Sequence, residues 1–284
     1  MNLCLFASDL HGRVDRYESL FAAVRDEQPA GVFLGGDLLP WGRWADWSGS
    51  GDFVHDFLLV RLAGLREKMG TRYPAVFIIL GNDDVRAEEP KFEKADVDGL
   101  CRYVHRRTVP FGDFSVTGYS HIPPTPFQLK DWERYDVSRF VDPGCISPEG
   151  GKRSVDVPAR EKKFRTIAAD LRELAAGHDM SRQIYLFHSP PYQTKLDRAA
   201  LDGKMIDHVP LDVHIGSVAM RRFIERHQPL LTLHGHVHES AALTGAWMDR
   251  IGETVCLSAA HDGPELSLIR FFPEKPAEAE RGLL

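Results

Sequence analysis

Two histidine-bearing doublets could do chemistry. In Asp9-Leu10-His11 and in His236-Val237-His238, two metal-ligand side chains stand two residues apart. Alternate side chains of extended backbone share one face, so each doublet can grip a single cation. Between the doublets lie Gly36-Asp37, Gly81-Asn82-Asp83-Asp84 and Phe187-His188-Ser189-Pro190-Pro191. Imidazole and carboxylate together suit Mn, Fe or Zn, whereas an all-oxygen set suits Mg or Ca. Each piece alone also reads as a helix cap, a turn or a surface histidine. Together, and in this order, they point to a metal site, and the glycines among them let backbone approach closely where a Cβ would clash.

The surrounding elements are those that could bring such pieces together. Residues 3–7 read as a buried strand, and Val14, Tyr17, Leu20, Phe21 and Val24 then recur at helical spacing. The unit repeats with a strand at 31–34, a helix over 53–69 carrying Phe53, Phe57, Val60 and Leu65, and a strand at 75–80. Strands alternating with helices imply a largely parallel sheet. Short strands follow at 103–108 and 114–118, then a stretch rich in Pro, Gly and aromatics over 120–158. A helix over 159–175, a strand at 183–187, a helix over 217–226 with Ser217 as its N-cap and a strand at 230–233 restore the rhythm. Residues 241–248, 254–258 and 265–271 read as successive strands with antiparallel pairing, and the tail 273–284 is expected to fray. Four of the five motifs directly follow an expected strand, where open α/β sheets place their ligand sites.

Composition sets outer bounds. The 284 residues are 43% apolar and 27% charged, which fits one large α/β domain or two small ones. The longest apolar run, 75–80, is far short of a membrane span, and the N-terminus has neither a basic leader nor a cleavage site. Four cysteines without C-x-x-C spacing suggest reduced thiols and a cytoplasmic protein. A net charge of −6 offers no field for holding long nucleic acid, so no stable nucleic-acid or membrane partner is expected. The Walker spacing fails at Ile146 and Arg153, and no G-x-S-x-G elbow exists.

The ordered set D-x-H, G-D, G-N-x-[DE], a strand-end His and G-H-x-H resembles the signature of calcineurin-like metallophosphoesterases, over residues 3–272. The resemblance implies an α/β fold, a four-layer α/β/β/α sandwich with two facing mixed sheets, as one domain over 1–272. It further implies two divalent or trivalent metal ions. One would be held by Asp9, His11, Asp37 and His238, the other by Asp37, Asn82, His188 and His236, with Asp37 bridging. Two such cations outweigh the two carboxylates and leave a locally positive site within an acidic protein. A hydroxide bridging the metals would attack phosphorus in line, with a small phosphodiester or phosphomonoester as substrate. Residues 186–192, 214–217 and 233–240 are similar, more locally, to the Icc-like phosphoesterases.

The chain also departs from that pattern. Many catalytic relatives carry His where this chain has Asp83, so the usual proton donor to the leaving group is missing. Asp83 would serve only with a raised pKa; His214 and His121, in loops expected near the site, are the other candidate donors. Trp41, Arg43 and Trp44 follow the Asp37 motif and could contact substrate, as could Tyr119 in a lid spanning 119–140; packing of these loops, or of a homo-oligomer interface, explains them as well. Loss of the histidine keeps a second function in view, a non-catalytic metal-bearing scaffold for protein binding. The complete set of seven ligand side chains favours the enzyme.

Overall fold

A computed structural model describes residues 2–40 and 51–284. The chain runs β1 (Cys4–Ala7), α1 (Val14–Glu27), β2 (Gly31–Gly35), α2 (Val60–Met69), β3 (Ala75–Ile79), α3 (Glu89–Val97) and β4 (Arg102–Tyr103). It continues through β5 (Thr108–Phe111), β6 (Phe114–Tyr119), α4 (Ala159–Phe164), α5 (Ile167–Leu174), β7 (Gln183–Phe187), β8 (Met205–Ile206) and β9 (Val209–Pro210). Last come α6 (Val218–His227), β10 (Leu231–His234), α7 (Ser240–Thr244), β11 (Met248–Ile251), β12 (Thr254–Ser258), β13 (Ser267–Phe271) and β14 (Glu280–Leu283).

The central strands are apolar throughout because both of their faces are covered. Their alternation still sorts the side chains. Leu5, Ala7, Val32, Leu34, Val76 and Ile78 point into a core with Tyr17, Leu20 and Leu62 of the first helices. The intervening Phe6, Phe33, Phe77 and Ile79 point the other way, to meet Ile184, Leu186, Leu231, Leu233, Val255 and Leu257. The reverse face of that second group, with Tyr185, Phe187 and Cys256, packs on α5 and α6 through Leu171, Met220 and Phe223. Helix, sheet, sheet and helix therefore stack in four layers around three cores. Phe33 and Phe77 stack at 4.8 Å in the middle; each such buried ring contributes roughly 1.5–3 kcal/mol.

The first sheet has the order β14-β13-β1-β2-β3-β4 and the second β11-β12-β10-β7-β6-β5. Both are mixed. In the first, β1 to β4 run parallel, β13 runs antiparallel to β1, and β14 pairs antiparallel with β13. In the second, β6, β7, β10 and β12 run parallel between antiparallel edges β5 and β11. The four-layer α/β/β/α expectation is met.

Several local expectations are corrected. The single helix over 53–69 opens with a π-helical stretch, Phe53–Leu59, capped by Asp52, before α2 begins. The helix over 159–175 breaks at Arg165, and Thr166 caps α5 by accepting the Ala169 amide at 3.1 Å. Residues 240–244 are helical rather than extended, since the Ala-Ala-Leu run favours helix and Gly245 (φ 70°) ends it. The strands after His238 do not form one antiparallel group: β12 joins β10 in parallel, and β13 crosses to the first sheet. The tail does not fray, because β14 pairs with β13 and Leu284 and Leu266 exchange backbone bonds at 2.8 and 2.9 Å. No helix among the described residues is long and apolar enough to cross a membrane.

Candidate metal centre

The carboxyl ends of β1, β2, β3, β7 and β10 carry the five motifs, and backbone bonds sew the loops together. Asp9 N donates to Gly36 O at 2.9 Å, His11 N to Asp37 O at 2.8 Å and Gly235 N to His188 O at 2.9 Å. Asp9, His11, Asp37 and His236 all have positive φ, between 48° and 74°. That conformation is uncommon for non-glycine residues; Gln28 and Gln228 adopt it at helix ends, but four such residues gathered in one set of loops is a feature of functional sites. Two glycines have no alternative: a Cβ on Gly81 would stand 2.3 Å from Asp37 Oδ1, and one on Gly235 would stand 2.6 Å from Asp9 Oδ2.

Ligand-type atoms of Asp9, His11, Asp37 and His238 lie within 4.8 Å of one another, and so do those of Asp37, His188 and His236. Asp37 belongs to both groups. Asn82 Oδ1 lies 3.0 Å from His188 Nε2, beside Asp37 Oδ2 at 3.3 Å from the same nitrogen. His11 Nε2 and His238 Nε2 face each other at 3.2 Å, and His238 Nε2 is 3.2 Å from Asp9 Oδ1. Two buried carboxylates among four imidazoles and one amide oxygen form a donor set that fits two cations of the Mn, Fe or Zn type. His188 is oriented from behind, its Nδ1 bonded to Gly35 O at 2.8 Å, as expected of a ligand imidazole.

The charges are mutually dependent. Burial pushes the Asp9 and Asp37 carboxyls up, yet the facing histidines hold both below the usual range, through the hydrogen bond of His238 to Asp9 and the charge of His188 on Asp37. Burial alone would lower His188, but Asp37 and Asp9 push it up to about 10. Asp83 sits at the edge of this cluster: its amide donates to Asp37 Oδ1 at 2.8 Å, and Oδ2 is 3.8 Å from His11 Nδ1. Burial, then the charges of Asp37 and Asp84, push its carboxyl up to about 8.

The remaining sequence candidates are placed elsewhere. Tyr119 is corrected: it is fully buried and donates its hydroxyl to Asp170 at 2.7 Å, leaving no surface for substrate. His121 is corrected as a proton donor; it is buried among His105, Tyr119 and Trp132, and burial, then Arg134, push it well below the usual histidine range. The supposed lid is anchored in part, with Trp132 buried and its Nε1 donating to Asp84 O at 2.7 Å. His214 lies outside both ligand groups, with Nδ1 2.8 Å from the buried Asp197. Trp41, Arg43 and Trp44 lie outside the described residues.

Two positioning groups emerge only from the structure. Asp84 accepts the amides of Leu38 (2.9 Å), Leu39 (2.7 Å) and Gly81 (2.8 Å), locking the Asp37 loop to the Asn82 loop. Arg16, buried, donates to Asp9 O and Gly263 O at 2.6 Å each and to Pro264 O at 3.3 Å. Asp84 stands within the Gly81-Asn82-Asp83-Asp84 motif, but Arg16 has no sequence signal beyond a helical position.

A search of curated proteins finds no match. Among solved structures, the TT1561 protein of Thermus thermophilus is 18% identical over 99% of this chain and 98% of its own, with a TM-score of 0.55. A dimetal phosphatase from Danio rerio is 12% identical over 95% of this chain and 92% of its own, with a TM-score of 0.52. At such identities the likeness is one of fold. The profile of the calcineurin-like phosphoesterases matches residues 4–240, which include all five motifs, and the chain belongs to that family.

Proposed function

We propose that this protein is a metal-dependent phosphoesterase acting on a small phosphodiester or phosphomonoester, within the Icc-like branch suggested by residues 186–192, 214–217 and 233–240. The observation that carries the reading is the pair of ligand groups sharing Asp37. When bound there, two cations supply positive charge to the phosphoryl oxygens and acidify water. The chain itself provides the frame: Asp84 and Arg16 fix the loops, and the orientation of His188 is set by Gly35 O. A non-catalytic scaffold has no use for so complete a donor set.

Asp83 takes the part of proton donor to the leaving group, because its carboxyl flanks the ligand cluster, 3.8 Å from His11 Nδ1, without belonging to it. His214, held by Asp197, is the competing donor. The functional test is hydrolysis of bis-p-nitrophenyl phosphate and p-nitrophenyl phosphate with added Mn, with His236→Ala as control. Turnover lost in the variant supports the hydrolase; metal-loaded protein inert toward these and other phosphate esters contradicts it. Asp83→Asn separates the donors. Nitrophenolate leaves without a proton, so Asp83→Asn should keep most activity on p-nitrophenyl esters and lose about 10²–10⁴-fold on alkyl esters. Equal loss on both classes, or loss on alkyl esters only in His214→Gln, assigns the proton elsewhere.

A further inference from the structure

Next to the loop that follows β3, a small, partly enclosed cleft is lined by Arg86, His121, Arg134, Arg153 and Lys162, together with Glu133 and Glu161. Its carboxylates are already engaged. Glu133 accepts Lys130 Nζ at 2.5 Å and the Thr125 amide at 2.8 Å, and Glu161 accepts Arg134 at 2.6 Å. Arg86 is likewise paired, with Glu89 at 2.9 Å. Arg153 differs: its guanidinium donates to the main-chain carbonyls of Lys130 and Pro148, and its buried Nε has no acceptor among the described residues. Lys162 has no ion-pair partner among the described residues. His121 adds a buried Nδ1, also without a hydrogen-bond partner among them.

Partly buried cations with no carboxylate in direct ion-pair contact among the described residues, and an imidazole nitrogen without a partner, are costly to leave unmatched, and for Arg153 the charges of Asp131 and Glu133 act only at longer range. One ligand chemistry answers all three groups. The planar donor fork of an arginine matches the oxygens of a phosphate or carboxylate, an ammonium adds a point charge, and a neutral imidazole N–H adds a donor. We infer that this cleft is a binding site for an oxyanion, phosphate or carboxylate, held by Arg153 and Lys162 beside His121. It is separate from both groups of metal-ligand atoms but joined to them through solid contacts. The Arg86 guanidinium lies 5.4 Å from the centre of the Trp132 ring, and Trp132 Nε1 donates to the carbonyl of Asp84, whose carboxylate holds the Asp37 and Asn82 loops. The anion comes either from free phosphate or from a second charged group on the substrate.

The test is calorimetric titration of inorganic phosphate into the metal-loaded protein and into Asp37→Ala, which removes the carboxylate that both ligand groups share. Binding that persists in Asp37→Ala, and weakens about 10-fold or more when Arg153→Gln or Lys162→Ala is added, is the expected result. Lys162→Ala covers the case in which Arg153→Gln fails to fold, a point checked by thermal melting. Phosphate binding that vanishes with Asp37→Ala, or is unchanged by both cleft substitutions, overturns the inference. The source follows from Lys162→Ala kinetics: a raised KM only for esters carrying a second anionic group means the cleft reads substrate. Unaltered KM with weakened phosphate binding means it takes free phosphate.

Discussion

At Asp37 three demands meet on one carboxylate: Oδ1 accepts the Asp83 amide at 2.8 Å, Oδ2 lies 3.3 Å from His188 Nε2, and both groups of ligand-type atoms include it. The protonation of its partner sets a pH dependence. In the metal-free state Asp37 and Asp9 overcome burial and push His188 up to about 10, so at neutral pH this ring holds a proton that a cation must displace. Mn affinity should therefore rise with pH, by about 10-fold per unit between pH 6 and 8 for each proton displaced. Calorimetry in buffers of differing ionisation enthalpy checks this, and an affinity flat over that range speaks against it. Arg16→Met should weaken metal binding about 10–100-fold through loss of its hold on the Asp9 carbonyl. Arg16→Lys should restore part of it, while a purely structural role would lower Tm and leave metal affinity of the folded protein unchanged. That Asp9, His11, Asp37, Asn82, His188, His236 and His238 gather at one place was legible because each motif is local in the chain and follows a strand. Arg16 was not, since two of its partners, Gly263 and Pro264, are remote in sequence. Tyr119 and His121 misled because an aromatic or imidazole in a loop reads the same whether it is buried or exposed.

Among the elements, the strands were the most readable, since β1, β2, β3, β7 and β10 are short apolar runs whose two faces are both covered. The π-helical start of the helix before α2, the break between α4 and α5, and the short α7 depend on caps and left-handed turns, which periodicity does not register. β14 escaped notice because its residues are polar or half-exposed; its stabilisation comes from the open edge of β13 rather than from its own pattern. Truncation after Phe272 should therefore cost measurable stability. Losing the two Leu284–Leu266 bonds alone is expected to lower Tm by roughly 2–12 °C, at about 0.5–1.5 kcal/mol per bond and roughly 2–4 °C per kcal/mol, and losing the β14 ladder adds to that. A truncated chain that melts with the full-length protein would mean that β14 is not held in solution.

On the scale of the whole molecule, the two sheets meet over the Phe33 and Phe77 core, and their strand ends converge on one site. Asp9, His11, Asp37 and Asn82 come from the first sheet and His188, His236 and His238 from the second, so bound cations would tie the layers together. This convergence was foreseeable from motif order after successive strands. The packing of residues 120–158, with Trp132 on Asp84 and the basic cleft beside it, was not, because irregular chain has no period to read. In an acidic protein of net charge −6, two cations bound at this site would outweigh its two carboxylates and favour a phosphate locally. The central claim, that Asp37 is shared by two metal positions, is tested most directly by counting metals per chain by mass spectrometry in the wild type and in Asp37→Ala after loading with Mn. The account predicts about two ions per chain in the wild type and fewer than about one in the variant. No metal in the wild type, or two ions retained without Asp37, would contradict it.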